Sequence, residues 1–154
     1  MIAPTYLRAI IRMSLSPIGL WSQEAEELLL MTAAHESSMG KYTKQIKGTA
    51  LGLYQMEPET LYDNYVNYLH YRPNLFQKIA DITGATGADL GQLEFNPLYS
   101  TIHARIKYRR SPVPLPPASD TRLLAEYAKN HYNTHLGKAT PENYNDAYRR
   151  LILA

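Results

Sequence analysis

The chain has 154 residues, a length typical of one domain with a substantial hydrophobic core. Hydrophobic residues make up 45% and charged residues 19% of it, the balance of an ordinary globular protein, and the formal net charge is only +2. That charge is too small to indicate nucleic-acid binding, and a sequence without cysteine excludes a disulfide scaffold, a thiol nucleophile and a zinc–thiolate site.

The first 20 residues predict one helix followed by a turn. Arg8 and Arg12 interrupt the only apolar stretch, so this segment has neither the plan of a signal peptide nor the length of a membrane span. Pro17 and Gly19 favour a turn after the helix. We therefore expect a single domain over residues 1–154, with residues 1–20 an N-terminal helix packing on it, made in the cytoplasm without a signal peptide.

A second helix is predicted to begin after Ser22, which can cap it by accepting a hydrogen bond from a free N–H group. Steps of three and four place one set of residues on a single face: Ala25, Leu28, Leu29, Thr32, Ala33 and Glu36. Glu36 thus continues an apolar stripe, where lost hydration raises the pKa of a carboxylic acid and suits it to general acid catalysis. A glutamate turned out to water at a frayed helix end is the alternative.

The middle of the chain predicts a loop and two more helices. Residues 37–48 form the loop, and residues 49–57 are too short and too interrupted by glycine for a long helix. Pro58 suits the first turn of the third helix. The apolar side predicted for that helix carries Leu61, Tyr62, Tyr65, Val66 and Leu69. A shorter fourth helix is predicted to end at Gly84.

Three further helices are predicted from their capping residues, Asn96, Asp120 and Thr140. The buried stripe expected in the first is Leu98, Ile102 and Ile106. His103 and Arg105 lie off that stripe and are expected in solvent. Residues 111–117 (SPVPLPP) predict a rigid surface connection, because four prolines remove backbone donors and fix φ. The side chains expected to face inward in the last helix are Tyr144, Ala147, Tyr148 and Leu151.

Four segments in this order resemble the motifs of the soluble lytic transglycosylases, a family related in fold to goose-type lysozyme. They are Glu36 with Ser37, then residues 49–60 (TALGLYQMEPET), 96–104 (NPLYSTIHA) and 128–134 (AKNHYNT). The resemblance implies a mainly α, lysozyme-like single domain, with helices around a substrate cleft and little or no β-sheet.

The same resemblance implies an enzyme, a peptidoglycan lytic transglycosylase that cleaves the β-1,4 bond between N-acetylmuramic acid and N-acetylglucosamine. Glu36 would protonate the leaving oxygen and then deprotonate the muramic C6 hydroxyl, giving a 1,6-anhydro product. Tyr132 would position the glutamate or the acetamido group. The residues expected to bind or support substrate are Ser37, Gly52, Leu53, Tyr54, Gln55 and Asn133. The five histidines show no ligand cluster, so neither a metal nor another cofactor is expected.

Two features of the motif region bear on the substrate. Thr49 and Tyr54 depart from the residues usual in the family, which affects the expected cleft width and substrate preference. Three lysines of the 37–48 loop suit either a solvated loop or a cationic rim for the carboxylates of peptidoglycan: Lys41, Lys44 and Lys47.

Two other interpretations stay open. If Glu57 or Asp63 supplies a second carboxylate, water attacks and the protein is a hydrolytic lysozyme or endolysin. The other interpretation is a structural phage tail or baseplate protein that has the fold with little activity. The expected partners are peptidoglycan glycan strands and other phage tail or virion proteins, with no nucleic acid and no membrane insertion. The expected location is the virion, acting in the host periplasm and cell wall.

Overall fold

A computed structural model describes residues 1–45, 48–133 and 137–154. Within these ranges the protein is mainly helical and forms no β-strand, only isolated bridges from Leu51 to Lys44 and Met56. The mainly α fold predicted from the sequence is confirmed. The eight α-helices of the described ranges are α1 (Pro4–Leu15), α2 (Gln23–Ser37), α3 (Pro58–Asn67), α4 (Pro73–Thr83), α5 (Leu90–Phe95), α6 (Pro97–Arg109), α7 (Thr121–Ala128) and α8 (Pro141–Tyr148).

Short turns of other helical types extend these elements. A 3₁₀ turn, Leu69–Tyr71, joins α3 to α4, and π-helical turns continue α7 over Lys129–Asn133 and α8 over Arg149–Leu153. None of the described helices is both long and apolar enough to cross a membrane.

Capping residues begin most of the helices, as the sequence predicts. Ser22, Asn96 and Asp120 each accept a hydrogen bond from a backbone N–H group in the first turn of α2, α6 and α7. Thr140 and Asn143 form a reciprocal pair of such bonds at the start of α8. Proline occupies the first turn of α1, α3, α4, α6 and α8, where its missing N–H group leaves no helical bond unmade.

Helix α2 runs through the centre of the fold. It packs against α1, α6, α7 and α8, and every side chain from Leu28 to Ala34 is buried. The helical spacing predicts a single apolar face, but a helix segment enclosed on all sides is apolar all round. Glu36 and Ser37 therefore end a helix whose central part, from Leu28 to Ala34, is embedded in the core.

The expectation that His103 and Arg105 lie in solvent is wrong. Both are buried, because α1, α2, α3, α4 and α5 pack against α6 and cover most of its surface. The imidazole of His103 contacts the side-chain amide of Asn64 at 3.2 Å and the hydroxyl of Tyr65 at 3.3 Å. Burial lowers the pKa of His103 to about 3 and keeps the ring neutral. The guanidinium of Arg105 donates from Nε to the carbonyl of Leu20 at 2.9 Å.

The predicted apolar side of α3 is also partly wrong. Tyr62 and Val66 are exposed, whereas Leu61 and the polar Asn64 are buried. Asn64 can be buried because its side chain is hydrogen-bonded: Nδ2 donates to the carbonyl of His103, and Oδ1 accepts from Arg110. A polar residue with all its partners inside the fold can replace an apolar one on the inner face.

Helix α1 is joined to α2 by an ion cluster centred on the buried carboxylate of Glu26, with Arg8 half-buried and Arg12 exposed. The carboxylate of Glu26 accepts hydrogen bonds from Arg12 Nε at 2.7 Å, Arg8 Nη1 at 2.8 Å and Trp21 Nε1 at 2.9 Å. Apolar side chains of α1, including Leu7 and Ile11, are buried beside it. Burial opposes ionisation of Glu26, but the bonds from Arg12, Trp21 and Arg8 outweigh it and hold the pKa below its ordinary value of 4.5.

We expect Glu26→Gln to destabilise the protein in a pH-dependent way. A carboxyl group with a lowered pKa in the folded state adds stability above its unfolded pKa of 4.5, and that stability is lost as pH falls through the folded value. At neutral pH the variant should lose roughly 1–3 kcal/mol of unfolding free energy, and the difference from wild type should shrink below the unfolded pKa. Urea denaturation across this pH range measures both effects.

The matched control is Glu24→Gln, in the same first turn of α2 but outside the ion cluster. It should change stability only by a helix-dipole contribution of about 0.5 kcal/mol. Equal destabilisation by the two substitutions, or a Glu26→Gln effect that does not change with pH, would contradict this account.

Candidate functional site

The end of α2 is fixed by a left-handed turn. Ser38, Met39 and Gly40 have φ angles of 50°, 60° and 83°. The buried hydroxyl of Ser37 donates to the carbonyl of Leu53 at 2.6 Å and accepts from the N–H group of Gly40 at 2.8 Å. These bonds tie the helix end to the segment of residues 51–56, so the residue before Ser37 has a defined position.

That residue, Glu36, lines a cavity of about 410 Å³. The volume falls in the range of pockets that hold small ligands or a few units of a polymer. Other lining side chains come from several parts of the fold, among them Lys44, Gln55, Glu57, Lys107, Tyr132 and Asn133. Polar and charged side chains therefore share the wall around the carboxylate with apolar surface.

The carboxylate of Glu36 is half-buried and hydrogen-bonded. The hydroxyl of Tyr144 donates to Glu36 Oε2 at 2.6 Å. Burial raises the pKa of Glu36, while the Tyr144 bond and the positive charge of Lys107 oppose that rise without cancelling it. Glu36 thus keeps its proton to a higher pH than an ordinary glutamate, the property a general acid requires.

Tyr144 is a site residue that no motif in the sequence indicates. It lies in α8, 108 residues after Glu36, and is fully buried. Its ring also contacts His35, with centroids 4.1 Å apart. Burial and the neighbouring charge of Glu36 raise the pKa of Tyr144, so the phenol stays protonated as a donor. The helical spacing predicts that Tyr144 faces inward, but nothing in the sequence predicts its hydrogen bond to Glu36.

Tyr132 has a different contact from the expected one. Its hydroxyl donates to the carbonyl of Tyr54 at 2.6 Å, and its own carbonyl accepts from Lys107 Nζ at 2.7 Å. The side chain lines the cavity with Glu36, but its hydroxyl holds the π-helical turn against the 51–56 segment. Tyr144, not Tyr132, makes the hydrogen bond to the Glu36 carboxylate.

The six predicted substrate-binding residues fall into two groups. Gln55 and Asn133 line the cavity. Gln55 has a φ angle of 48° and its amide donates to the carbonyl of Gly52 at 2.9 Å, while Asn133 Oδ1 accepts from Lys129 at 2.9 Å. The other four are buried and are not among the residues that line the cavity: Ser37, Gly52, Leu53 and Tyr54.

The two candidate second carboxylates lie in different places. Glu57 lines the cavity with Glu36 and accepts a hydrogen bond from the hydroxyl of Thr49. Asp63 pairs with Arg110 at 2.8 Å and lines a neighbouring cavity of about 620 Å³. Of the two, only Glu57 lines the cavity that contains Glu36.

The lysines of the predicted cationic rim are not equivalent. Lys44 lines the cavity, and Lys41 Nζ lies 5.4 Å from the centroid of the Tyr42 ring. Lys47 lies outside the described residues, as does Thr134 at the end of the last motif. Across the described ranges no three His, Asp or Glu side chains come together as metal ligands.

Comparisons of the chain with protein-family models, with curated proteins and with solved structures find no match.

We expect Gly52→Ala to destabilise the protein strongly. The φ angle at Gly52 is +82°, and an added Cβ would lie 2.0 Å from the carbonyl oxygen of Leu93. The left-handed conformation and the backbone clash together should cost about 3 kcal/mol or more. Gly84 has a similar φ of +76° with no atom within 4 Å of the added Cβ, so Gly84→Ala should cost only about 1 kcal/mol. Similar urea midpoints for the two variants would contradict the close approach at Gly52.

We expect Tyr144→Phe to raise the pKa of Glu36. The phenol donates to the ionised carboxylate, and loss of a bond to the charged form disfavours ionisation. NMR titration of the Glu36 side-chain carboxyl carbon measures this change directly. The control is Tyr127→Phe, whose hydroxyl donates to the carbonyl of Val113 and should leave the Glu36 pKa unchanged. A Glu36 pKa that falls or stays constant in Tyr144→Phe would contradict the assigned hydrogen bond.

Proposed function

We propose that this protein is a peptidoglycan lytic transglycosylase that uses Glu36 as both general acid and general base. One observation carries the proposal: a half-buried carboxylate at the end of α2 lines a cavity together with other polar and charged side chains, and burial favours its protonated form. The order of the four motif segments, which resembles that of the soluble lytic transglycosylases, supports the same conclusion.

The reaction needs one group that first gives and then takes a proton. Protonated Glu36 donates to the oxygen of the leaving N-acetylglucosamine as the bond from muramic C1 breaks. The substrate's acetamido group stabilises the cation that develops at C1. Ionised Glu36 then accepts the proton of the muramic C6 hydroxyl as O6 bonds to C1, which regenerates the acid and leaves a 1,6-anhydro ring.

The contacts of Glu36 suit both halves of this cycle. Burial favours the protonated form that begins the reaction, while Tyr144 and Lys107 limit the free energy of the ionised form in the middle of it. Because Tyr144 donates to Oε2, we assign the two proton transfers to Oε1. A single carboxylate whose protonated and ionised forms are both stabilised by the site can serve as acid and base in turn.

Hydrolysis is the second candidate, because Glu57 lines the same cavity as Glu36. In a hydrolytic glycosidase a second carboxylate activates water or attacks the sugar, and both carboxylates are then essential. Under our proposal, Glu57→Gln should keep most of the wild-type rate. Loss of activity in folded Glu57→Gln as complete as in Glu36→Gln would favour the hydrolytic mechanism.

We expect Glu36→Gln to abolish cleavage of purified peptidoglycan. The amide is nearly isosteric with the acid but can neither donate a proton to the leaving oxygen nor accept one, so the rate should fall by roughly 10² to 10⁴ or more. Release of soluble muropeptides from peptidoglycan measures the rate. The control is Glu142→Gln, an exposed glutamate in the first turn of α8, which should retain wild-type activity. Substantial cleavage by a folded Glu36→Gln protein would overturn the proposal.

A further inference from the structure

Lys107 lies between two cavities. It lines the cavity of about 410 Å³ that contains Glu36, and also the neighbouring one of about 620 Å³, whose other lining residues include Asp63, Arg110 and His131. A polymer that passed from one cavity to the other would therefore pass Lys107.

The ammonium group of Lys107 is held in place by Tyr132. Nζ donates to the carbonyl of Tyr132 at 2.7 Å and lies 4.0 Å from the centroid of the Tyr132 ring, a cation–π contact. An ammonium has three N–H donors, and the carbonyl takes one of them. A side chain anchored in this way loses little conformational entropy when it binds a ligand.

Lys107 has no ion-pair partner within the part of the chain that the structure describes. No described carboxylate lies within 4.0 Å of its ammonium, whereas Arg8, Arg12 and Arg110 all have one. The side chain is half-buried and has lost much of its hydration, which lowers the pKa of Lys107. A partly desolvated cation is stabilised when an anion takes the place of the missing water.

The surroundings favour a singly charged anion. Glu36 and Glu57 share the first cavity with Lys107, and Glu59 and Asp63 share the second. These carboxylates would repel a dianion such as a phosphate ester more strongly than a single carboxylate. The site therefore suits one carboxylate placed directly at the ammonium.

We infer that Lys107 is a specificity-determining residue that binds a carboxylate of the muramic acid unit while the glycan strand lies across both cavities. The inference rests on the proposed function, because the strand proposed as substrate carries such a carboxylate on each muramic acid unit. The carboxylate is either the lactyl group of a sugar without peptide or a carboxylate of the stem peptide. A chitin strand, which has the same β-1,4 linkage and acetamido groups, lacks both.

Binding measurements on the Glu36→Gln protein test this inference without cleavage of the ligand. Isothermal titration calorimetry would compare three fragments of equal sugar length: an amidase-treated glycan fragment with free lactyl groups, a muropeptide fragment with stem peptides, and a chitin oligosaccharide. Lys107→Met and Lys107→Gln remove the charge in two ways, and Lys107→Arg keeps it. Lys78→Met, at an exposed position on α4, removes the same charge elsewhere.

We expect both neutral Lys107 variants to lose about tenfold or more affinity for at least one carboxylate-bearing fragment and to bind chitin as before. Lys107→Arg should keep most of the affinity, and Lys78→Met should change none of the three. A loss confined to the amidase-treated fragment identifies the lactyl carboxylate, and one confined to the muropeptide identifies the stem peptide. Equal losses for all three fragments, or no loss, would overturn the inference.

The outcome is separable from that of the proposed function. Wild-type protein that cleaves peptidoglycan while the neutral variants show no ligand preference overturns the role of Lys107 alone. Suppose instead that the wild-type protein cleaves nothing, but the neutral Lys107 variants still lose affinity only for carboxylate-bearing fragments. That result supports the inference on carboxylate binding and overturns the proposed reaction.

Discussion

The left-handed turn that ends α2 is the constraint on which the candidate site depends. Three successive residues with positive φ, Ser38 to Gly40, reverse the chain immediately after the helix, and two of them are not glycine. Such conformations cost about 1–2 kcal/mol for each non-glycine residue and persist only where neighbouring contacts hold them. The hydroxyl of Ser37 supplies those contacts by bonding both Gly40 and Leu53.

This turn leaves Glu36 as a charged residue at the end of a buried helix. The apolar core around α2 removes water from the carboxylate, and among the described residues its aromatic hydrogen-bond donor is Tyr144. Lys107 adds a positive charge from α6. Burial raises the pKa of Glu36 and the two polar neighbours lower it, so the acidity of the site results from packing by three separate helices.

Local features of the site could be predicted from the sequence, and long-range contacts could not. The cap at Ser22 and the place of Glu36 near the end of α2 could be predicted, because caps and helical spacing depend on residues close in the sequence. The hydrogen bond from Tyr144 joins residues 108 positions apart, so only the folded chain brings them together. The burial of His103 could not be predicted either, because it depends on helices from distant parts of the chain that pack against α6.

The measurement that tests the central claim most directly is mass spectrometry of the muropeptides that the wild-type protein releases from purified peptidoglycan. Our account assigns both proton transfers to Glu36, so it predicts products one water lighter than hydrolytic ones, ending in 1,6-anhydromuramic acid. Products with ordinary reducing ends would contradict it, because water would then be the nucleophile and a second carboxylate would be needed.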